Sequence, residues 1–575
     1  MKMNKKGTWL WLLVLMCILS SNGTAEAAVQ SNQTKSDTMN YKYQNDVTQP
    51  TSTGIFTGLQ TGNNNTLVWS GIPYAQAPVG DLRWKAPQPL SSSASEQYSA
   101  RQAGNICTQL ADGKVVGEED CLYLNVYRPH TTATDLPVLV FLHGGGNVTG
   151  SSAALEAESL ATSTQSVVVT VNYRLGLLGW LNNTAIKSGN PLEDSGNFAL
   201  LDQIAALKWV QQQIGSFGGD PDNVTLGGQS AGARDVLALV ISPLAKGLFA
   251  KVMPLSGGMT TATPAEGQAY SDSKLAAVLV QAGKASTTAE AMTYLQKTDT
   301  QTLQQTLRSL DSKQLVQAVG SVMIRMSEFP HLFADGHVLP KNGFDVVQTG
   351  QYNRVPMLIG SMKNEFNVFA AYDPEFSKQF TSNSWPSTKE KQFWQATQYG
   401  SQLYSAFNAD QVADRFTKDT QALPIYVYRF AWGTEVKSLQ APAKYLAATH
   451  GVDMDFLSGH FADSNYGLLF KNQFYKDDNE AGRIQLMHRY RQYIRQFLHD
   501  QSMQVNDTPA WTSWQQSRTL LQFDATNTKA ILKTIQPAPT SAKMMATIQS
   551  SLSNTAKSVV WDNVLKGRFF MDAQY

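Results

Sequence analysis

Charge of either sign is scarce in this chain. Of its 575 residues, 46 are Lys or Arg and 45 are Asp or Glu, so the formal net charge is +1. A balance this close to neutral gives no reason to expect a nucleic-acid partner or an anionic membrane partner. Internal repeats and low-complexity tracts are also lacking, which argues against a repeat architecture. The length is compatible with one large α/β enzyme domain.

Long apolar runs are lacking as well. Residues 9–19 are apolar but too few to span a bilayer. They follow Lys2, Lys5 and Lys6 and precede a small-residue cleavage site at residues 25–27. This pattern predicts a signal peptide over residues 1–27 and hence export, with an uncleaved membrane anchor as the alternative. Residues 28–53, rich in Ser, Thr, Asn and Gln, predict a flexible leader before one domain over residues 54–575.

Cysteine is the third scarcity. The chain has three cysteines, and Cys17 lies in the predicted signal peptide, which leaves Cys107 and Cys121. In an exported chain such a pair predicts one disulfide that closes a short loop, and two buried free thiols are the alternative. Neither is expected to be a nucleophile, because no activating base is nearby in the sequence.

A Gly-Gln-Ser-Ala-Gly motif at residues 228–232 is centred on Ser230. The motif alone is weak, but a β-type run precedes it, and residues 233–241 predict an apolar helix after it. Strand, sharp turn and helix form a nucleophile elbow, in which glycines relieve the crowding around a strained serine. The pattern therefore predicts that Ser230 is exposed for nucleophilic attack.

A glycine run follows an apolar segment that predicts a buried strand. Leu136–Leu142 is an apolar run typical of a strand buried on both faces of a parallel sheet, and His143, Gly144, Gly145 and Gly146 come directly after it. Backbone N–H groups in such a loop can hold the negative oxygen of a tetrahedral intermediate. A flexible turn is the alternative, but the nearby elbow favours an oxyanion hole.

The chain resembles the type-B carboxylesterase family, the cholinesterase-like branch of the α/β-hydrolases. The similarity covers about residues 54–525 and is dense at residues 71–75, 119–126, 143–146, 172–176, 196–203 and 217–232. The resemblance implies an α/β-hydrolase fold, with a central, mostly parallel sheet, helices on both faces and helical lid insertions over the active site.

The resemblance also implies roles for single residues. Ser230 is the nucleophile, and the N–H groups of Gly145, Gly146 and Ala231 form the oxyanion hole. Cys107 and Cys121 match the family's first disulfide loop. Ser256 matches a serine that supports the catalytic triad, although a turn at a strand end explains it equally well. Two pairs match structural ion pairs, namely Arg83 with Glu119 and Arg174 with Asp202.

A serine nucleophile needs a base, and in this fold the chain order is Ser, acid, His. His450 stands in the motif where the family has its base. His130 and His143 precede the serine, and the other histidines are expected on the surface or in ordinary hydrogen bonds: His331, His337, His460, His488 and His499.

The acid that would orient His450 is expected at Glu365, which follows an apolar strand at residues 355–360 and matches the family's catalytic Glu. The family usually has Gly next, whereas this chain has Phe366. Asp335, Asp453 and Asp455 are competing candidates, and a plain surface glutamate is the remaining alternative.

Two departures from the family concern the substrate. Gln229 replaces the Glu that many relatives carry beside the nucleophile. Asn147 stands where an aromatic residue is common, so the cavity wall that it would form is expected to be smaller and more polar. Both point away from a choline-ester specialist. Helical insertions are expected at about residues 266–326 and 373–423, where Phe369, Tyr372 and Trp394 are candidates for pocket walls, although core packing is the expected role of any one of them.

These features predict an exported serine carboxylesterase that hydrolyses a small-molecule ester through an acyl-enzyme on Ser230. No metal or organic cofactor, no nucleic acid and no stable membrane insertion are expected. A monomer in the periplasm or outside the cell is favoured. N-glycosylation sequons at Asn147 and Asn223 would obstruct the site or the sheet, which suggests a bacterial source. The alternatives are a lipase for longer acyl chains and a non-catalytic adhesion or binding module.

Overall fold

Strands and helices alternate along the chain. The computed structural model describes residues 41–61, 65–320, 328–462, 464, 467, 473–499 and 503–572. The strands are β1 (Thr48–Thr51), β2 (Gly54–Thr57), β3 (Leu59–Thr61), β4 (Thr66–Pro73), β5 (Gln97–Ser99), β6 (Gln109–Ala111), β7 (Lys114–Val116), β8 (Tyr123–Pro129), β9 (Leu136–Leu142), β10 (Val167–Val171), β11 (Gly219–Gln229), β12 (Lys251–Leu255), β13 (Met357–Met362), β14 (Ile425–Phe430), β15 (Leu520–Ala525) and β16 (Ala530–Ile535).

The α-helices lie mostly between and after these strands. They are α1 (Glu158–Thr164), α2 (Gly176–Gly179), α3 (Pro191–Asp194), α4 (Phe198–Gln213), α5 (Ala231–Ile241), α6 (Pro264–Gln281), α7 (Thr288–Lys297), α8 (Thr300–Arg308), α9 (Ser312–Val319), α10 (Asn367–Ala371), α11 (Ser377–Ser382), α12 (Ser387–Ser405), α13 (Gln411–Phe416), α14 (Val452–Ser458), α15 (Glu480–His499), α16 (Trp514–Ser517), α17 (Ser541–Ser551), α18 (Asn554–Ala556) and α19 (Phe569–Asp572). Ala406–Asp410 and Lys557–Leu565 are π-helical.

The largest sheet has eleven strands within the described residues, in the order β16-β15-β14-β13-β12-β11-β9-β10-β8-β4-β3. Neighbours from β15 to β10 run parallel, and the strands at both ends pair antiparallel. Every residue of β9 and β10 is buried. Strands buried on both faces are apolar throughout, which explains why their sequence shows no polar alternation.

Helices cover both faces of this sheet. Alternate residues of β9 enter two different cores, because side chains of a strand point to opposite faces. Val138 packs in the core that contains Leu201 of α4, whereas Leu139 packs in the core that contains Leu160 of α1 and Leu486 of α15. The predicted mostly parallel sheet between two helical layers is therefore confirmed.

Element boundaries follow the apolar runs closely. The strands expected at Leu136–Leu142, Val167–Val171 and Ile425–Phe430 have those limits in the structure. β13 begins at Met357 instead of residue 355, since Pro356 has no N–H to donate to a neighbouring strand. β15 is followed by an additional antiparallel strand, β16, which the sequence did not predict.

The flexible leader predicted over residues 28–53 is wrong for its last part. β1 pairs with β2, and Gln49 and Thr51 are fully buried. Their polar side chains are satisfied locally, because Gln49 Nε2 donates to Asp46 O over 2.6 Å and Thr51 Oγ1 donates to Gly54 O over 2.8 Å. Such hydrogen bonds order a segment whose composition lacks an apolar signal. The predicted signal peptide lies outside the described residues.

The predicted insertions are helical where the structure describes them. The first contains α6 to α9 and the second contains α11, α12, Ala406–Asp410 and α13. Cys107 and Cys121 form a disulfide. Residues 41–575 form one compact unit. Among the helices that the structure describes, none combines the length and the apolar character needed to cross a bilayer.

Candidate active site

Ser230 lies at the sharp turn between β11 and α5. Its φ of 58° and ψ of −120° are a combination that L-residues rarely adopt. A Cβ atom on Gly228 would lie 2.6 Å from Gly232 O, and one on Gly232 would lie 2.3 Å from Leu142 O. The turn therefore requires both flanking glycines, and it holds Ser230 at the wall of a cavity.

His450 and Glu365 approach this cavity from two other loops. Glu365 follows β13, and its Oε2 accepts a hydrogen bond from Nδ1 of His450 over 2.6 Å. The other ring nitrogen of His450, Nε2, lies 3.3 Å from the side-chain amide nitrogen Nε2 of Gln229, the residue before Ser230. A neutral imidazole that donates from Nδ1 has an acceptor at Nε2, which is the state that a general base needs. The structure thus brings together the three residues predicted from the sequence.

Glu365 is fully buried, and both of its carboxylate oxygens accept hydrogen bonds. Its Oε1 accepts hydrogen bonds from Ser256 Oγ over 2.5 Å and from the Met362 N–H over 2.8 Å. Burial raises the pKa of this carboxyl, but the charge of His450 and the hydrogen bonds from His450, Ser256 and Met362 outweigh it, so the pKa lies below its usual range. Glu365 is therefore held as a carboxylate, and Ser256 contacts it directly.

The competing acids have other partners. Asp335 accepts backbone N–H groups in its own turn, from His337, Val338 and Leu339. Asp453 accepts a hydrogen bond from Tyr428 over 2.6 Å, and Asp455 accepts a hydrogen bond from the hydroxyl of Tyr475. Burial raises the pKa of both to about 7.

Other histidines lie outside the arrangement. His331 is buried, its Nδ1 lies 2.8 Å from Phe329 O, and burial lowers its pKa to about 4. His499 contacts Thr164 O over 2.8 Å. His460 pairs with Glu156. His143 stacks on Tyr173, and burial lowers its pKa to about 4.

Three N–H groups are candidates for the oxyanion hole. Gly145 and Gly146 adopt φ of 103° and 64°, which suits glycine, and a Cβ atom on Gly145 would lie 2.1 Å from Thr149 O. Ala231 is the first residue of α5, where a helix has unpaired N–H groups. None of the three N–H groups donates to another residue in the described part of the chain.

A cavity of about 420 Å³ lies over Ser230 and His450. Part of its wall is apolar, with Phe141, Ala153, Ala154 and Met454. The remainder is lined by polar residues, which include His143, Thr149, Glu156, Gln229, Asp455, Ser458 and His460. Glu156 Oε2 and His460 Nδ1 are 2.7 Å apart, and both side chains are partly exposed. Sequence analysis missed the contribution of this pair, and no local pattern links two residues so far apart in the chain.

Asn147 does not form the predicted cavity wall. It is fully buried, and its Nδ2 donates to Asp235 Oδ1 over 2.9 Å. Gln203 Nε2 donates to the other oxygen of Asp235 over 2.7 Å, and burial raises the pKa of Asp235 to about 7. The positive φ of Asn147, 60°, turns the chain so that this amide serves a buried carboxyl instead of the substrate. Gln229, by contrast, lines the cavity.

The aromatic candidates in and before the second insertion lie elsewhere. The described residues of the two insertions do not line the cavity over Ser230. Tyr372 is 39% exposed and Trp394 is 38% exposed, and the Trp394 ring stacks on Tyr445. Phe369 is buried, with its ring 5.1 Å from the ring of His450. Phe369 thus supports the histidine without facing the cavity.

Both ion pairs that the resemblance implied are formed. Arg83 Nε donates to Glu119 Oε2 over 2.7 Å, and Arg174 Nη2 donates to Asp202 Oδ1 over 2.7 Å. Arg83 and Glu119 border a different small cavity from the one over Ser230, which agrees with a structural role. No group of three or more His, Cys, Asp or Glu side chains in the described ranges is arranged to hold a metal ion.

The covered parallel sheet and the elbow at its centre define an α/β-hydrolase. Its family follows from comparison with known proteins: residues 45–406 match the model of the carboxylesterase family, and the chain belongs to that family. The para-nitrobenzyl esterase of Bacillus subtilis is 31% identical over 433 residues, which cover 70% of this chain and 81% of that protein. Rat carboxylesterase 1D is 29% identical and covers 83% of this chain and 88% of its own length.

Solved structures agree with this assignment. A PNB esterase structure is similar with a TM-score of 0.64 and 26% identity, and the match covers 87% of this chain and 99% of that one. The carboxylesterase of Geobacillus stearothermophilus has the same fold, with a TM-score of 0.66, 24% identity, and the same coverage. The predicted family and fold are therefore confirmed, and the chain is a carboxylic ester hydrolase.

Proposed function

We propose that Ser230 is the nucleophile of this ester hydrolase, with His450 as its general base and Glu365 as the acid that orients His450. The observation that carries the proposal is the hydrogen bond of 2.6 Å between Glu365 Oε2 and His450 Nδ1, at a cavity that Ser230 also lines. A carboxylate on Nδ1 fixes the tautomer whose Nε2 accepts a proton.

The reaction then has two halves. Ser230 Oγ attacks the ester carbonyl carbon as His450 Nε2 takes its proton, and the N–H groups of Gly145, Gly146 and Ala231 bind the resulting oxyanion. His450 returns the proton to the leaving alcohol as the acyl-enzyme forms. A water molecule, which gives a proton to His450, attacks the acyl carbon; the bond to Ser230 Oγ then breaks, and His450 returns that proton to Ser230 Oγ as the carboxylic acid leaves. Two of the N–H groups are in glycines, so no side chain obstructs the oxygen.

The cavity favours a small or polar ester over a long acyl chain. Glu156, Asp455 and His460 share the wall with Met454 and Phe141, and a long hydrocarbon chain would strip water from these polar groups without replacing their hydrogen bonds. The lipase alternative therefore has less support than the esterase. The hydrogen-bonded pair of His450 and Glu365 also argues against a purely adhesive role.

Hydrolysis of para-nitrophenyl esters of increasing acyl length tests the proposal. We expect purified parent protein to prefer short acyl groups and Ser230→Ala to lose nearly all turnover with its fold retained by circular dichroism. Turnover that persists in Ser230→Ala would reject Ser230 as the nucleophile. A preference for long acyl chains would favour the lipase.

Export is a separate part of the proposal. The basic residues Lys2, Lys5 and Lys6, the apolar residues 9–19 and the small residues 25–27 support a cleaved signal peptide, and the Cys107–Cys121 disulfide fits an oxidising compartment. Expression of the full chain in a bacterium should release protein that begins near residue 28. Retention of residues 1–27 on the protein, determined by mass spectrometry, would contradict cleavage.

A further inference from the structure

We propose that residues 568–570 form a positioning element of the catalytic site, in which Phe570 holds the ring of His450 in place through Tyr404. The inference rests on the proposed role of His450 as the base. The family model ends at residue 406, so these residues lie beyond the matched region. They belong to a segment made of α17, α18, Lys557–Leu565 and α19, which we call the late segment.

The late segment is fixed to the domain by a buried core and by a buried ion pair. Met544, Ile548, Val560 and Val564 are all buried in the same core as α12. Arg568 Nη2 donates to Asp373 Oδ2 over 2.7 Å, and both side chains are 3% exposed. Removal of either charge would leave the other buried without its partner, so this contact holds the start of α19 in one position.

Three aromatic rings connect the late segment to the catalytic histidine. The ring of Phe570 stacks on that of Tyr404, with centroids 4.8 Å apart and an interplanar angle of 16°. The ring of Tyr404 is in turn nearly parallel to that of His450, at 5.8 Å and 12°. Phe369 contacts both Tyr404 and His450 from the side, at 5.6 Å and 5.1 Å. Rotation of the imidazole away from Glu365 would have to displace these packed rings.

The same segment also contacts the residue after the catalytic acid. Phe570 meets Phe366 edge to face at 5.6 Å, and the Arg568 guanidinium lies 5.1 Å from the Phe366 ring. Phe366 stands where the family usually has Gly. The Phe366 ring also stacks on Phe369 at 6.2 Å, so the late segment adds a second aromatic partner to a ring that already packs beside the catalytic site.

Phe569 extends the contact to the helix that starts at the nucleophile. Its ring lies 3.9 Å from the guanidinium carbon of Arg234 in α5, and 5.2 Å from the ring of Phe407. Phe407 fills the space beside Gly258, where a Cβ atom would lie 2.0 Å from the Phe407 ring. Phe569 and Phe570 therefore both contact side chains that lie next to Ser230, Glu365 and His450.

The expected effect is on turnover and not on substrate binding. No residue of the late segment lines the cavity over Ser230 in the described part of the chain, so substrate affinity does not depend on it directly. The imidazole becomes positively charged as it takes the serine proton, and flat aromatic faces beside it stabilise that charge and its orientation. Small misplacement of a catalytic group lowers the rate steeply, on the order of 10- to 100-fold.

The test compares Phe570→Leu with Phe570→Tyr and Ile548→Ala. Leucine fills much of the volume but has no flat face, whereas tyrosine retains the ring. Ile548 is buried in the same segment and in the same core as the three rings, so Ile548→Ala removes apolar packing while every aromatic ring is kept. We measure kcat and KM for para-nitrophenyl butyrate and the thermal unfolding of each variant.

We expect kcat of Phe570→Leu to fall roughly tenfold or more with little change in KM, and we expect Phe570→Tyr to recover most of it. Ile548→Ala should lower the unfolding temperature and leave kcat near that of the parent. An unchanged kcat in folded Phe570→Leu, or an equal loss in Ile548→Ala, would overturn the inference.

Tyr404→Leu removes the middle ring and replaces Phe570→Leu in the test if that variant does not fold. We expect Tyr404→Leu to lower kcat without raising KM. An unchanged kcat in folded Tyr404→Leu would also overturn the inference. Failure of the proposed function would look different. In that case the parent protein itself would be inactive, or Ser230→Ala would be as active as the parent.

Discussion

Replacement of Ser256 by alanine is the perturbation whose effects follow most directly from the distances. Ser256 is buried, and its Oγ donates to Glu365 Oε1 over 2.5 Å. The substitution leaves that oxygen with the Met362 N–H as its described donor. A hydrogen bond to a charged group contributes about 1.5–3 kcal/mol, so we expect the free energy of unfolding at neutral pH to fall by that amount.

The pH dependence of this loss has a definite sign. Because the pKa of Glu365 lies below its usual value, its stabilising contribution is fully present above the unfolded pKa of about 4.3 and is lost as pH falls from there through the lower pKa of the folded state. Ser256→Ala removes one cause of the lowered pKa. The difference in stability between parent and variant should therefore be largest near pH 7 and shrink below about pH 4.

The energy of this hydrogen bond also sets an upper bound on the loss of turnover in Ser256→Ala. If all of the lost energy appeared in the transition state, kcat would fall by about 10- to 160-fold, which is an upper bound. The assays are urea unfolding at pH 7 and pH 3 and turnover of a short-chain para-nitrophenyl ester. Ser242→Ala is a matched control, because Ser242 is equally buried but donates to a neutral carbonyl, Val338 O, over 2.7 Å.

Ser242→Ala should cost about 0.5–1.5 kcal/mol at both pH values with kcat unchanged. A Ser256→Ala variant that behaves like this control, with a small loss of stability that does not vary with pH and with full activity, would show that Ser256 does not stabilise the Glu365 carboxylate.

Three other predictions concern the acid, the elbow and a structural pair. Glu365→Gln should lower kcat by about 10³- to 10⁴-fold with little change in KM, because the amide no longer enforces the Nδ1–H tautomer; near-parental turnover would reject Glu365 as the orienting acid. Gly232→Ala should give inactive or unfolded protein, since the added Cβ would lie 2.3 Å from Leu142 O and 2.4 Å from His143 O. Gly215→Ala is the control, because a Cβ atom there would meet open space, and this variant should retain activity and solubility. Arg174→Met should lower the free energy of unfolding by about 3–5 kcal/mol, because Asp202 stays buried without its partner; urea unfolding that matches the parent would contradict this.

The sequence predicted the parts of the fold that depend on apolar runs and on chain order. β9, β10 and β14 were delimited residue by residue, because strands at the centre of a covered parallel sheet are rich in apolar and β-branched residues, although β10 contains Thr170 and β14 contains Arg429. Ser230 was predicted from the elbow motif, whereas Glu365 and His450 were predicted from the resemblance to the carboxylesterase family together with the chain order of the triad.

Features that depend on the direction of one side chain were not predictable. Asn147 was expected in the cavity wall, but its positive φ directs the amide to Asp235, a residue 88 positions later. Glu156 and His460 meet at the cavity although no shared pattern connects them. The stacking of Phe570 on Tyr404 likewise joins segments whose local periodicity says nothing about each other.

Covalent labelling with a fluorophosphonate is a direct test of Ser230 as the nucleophile. A fluorophosphonate reacts with a serine only where a base and an oxyanion hole activate it. We expect one adduct per molecule, mapped by peptide mass spectrometry to Ser230, absent in Ser230→Ala and formed much more slowly in a His450→Ala variant. No adduct on folded parent protein, or an adduct on a different serine with ester hydrolysis retained in Ser230→Ala, would contradict it.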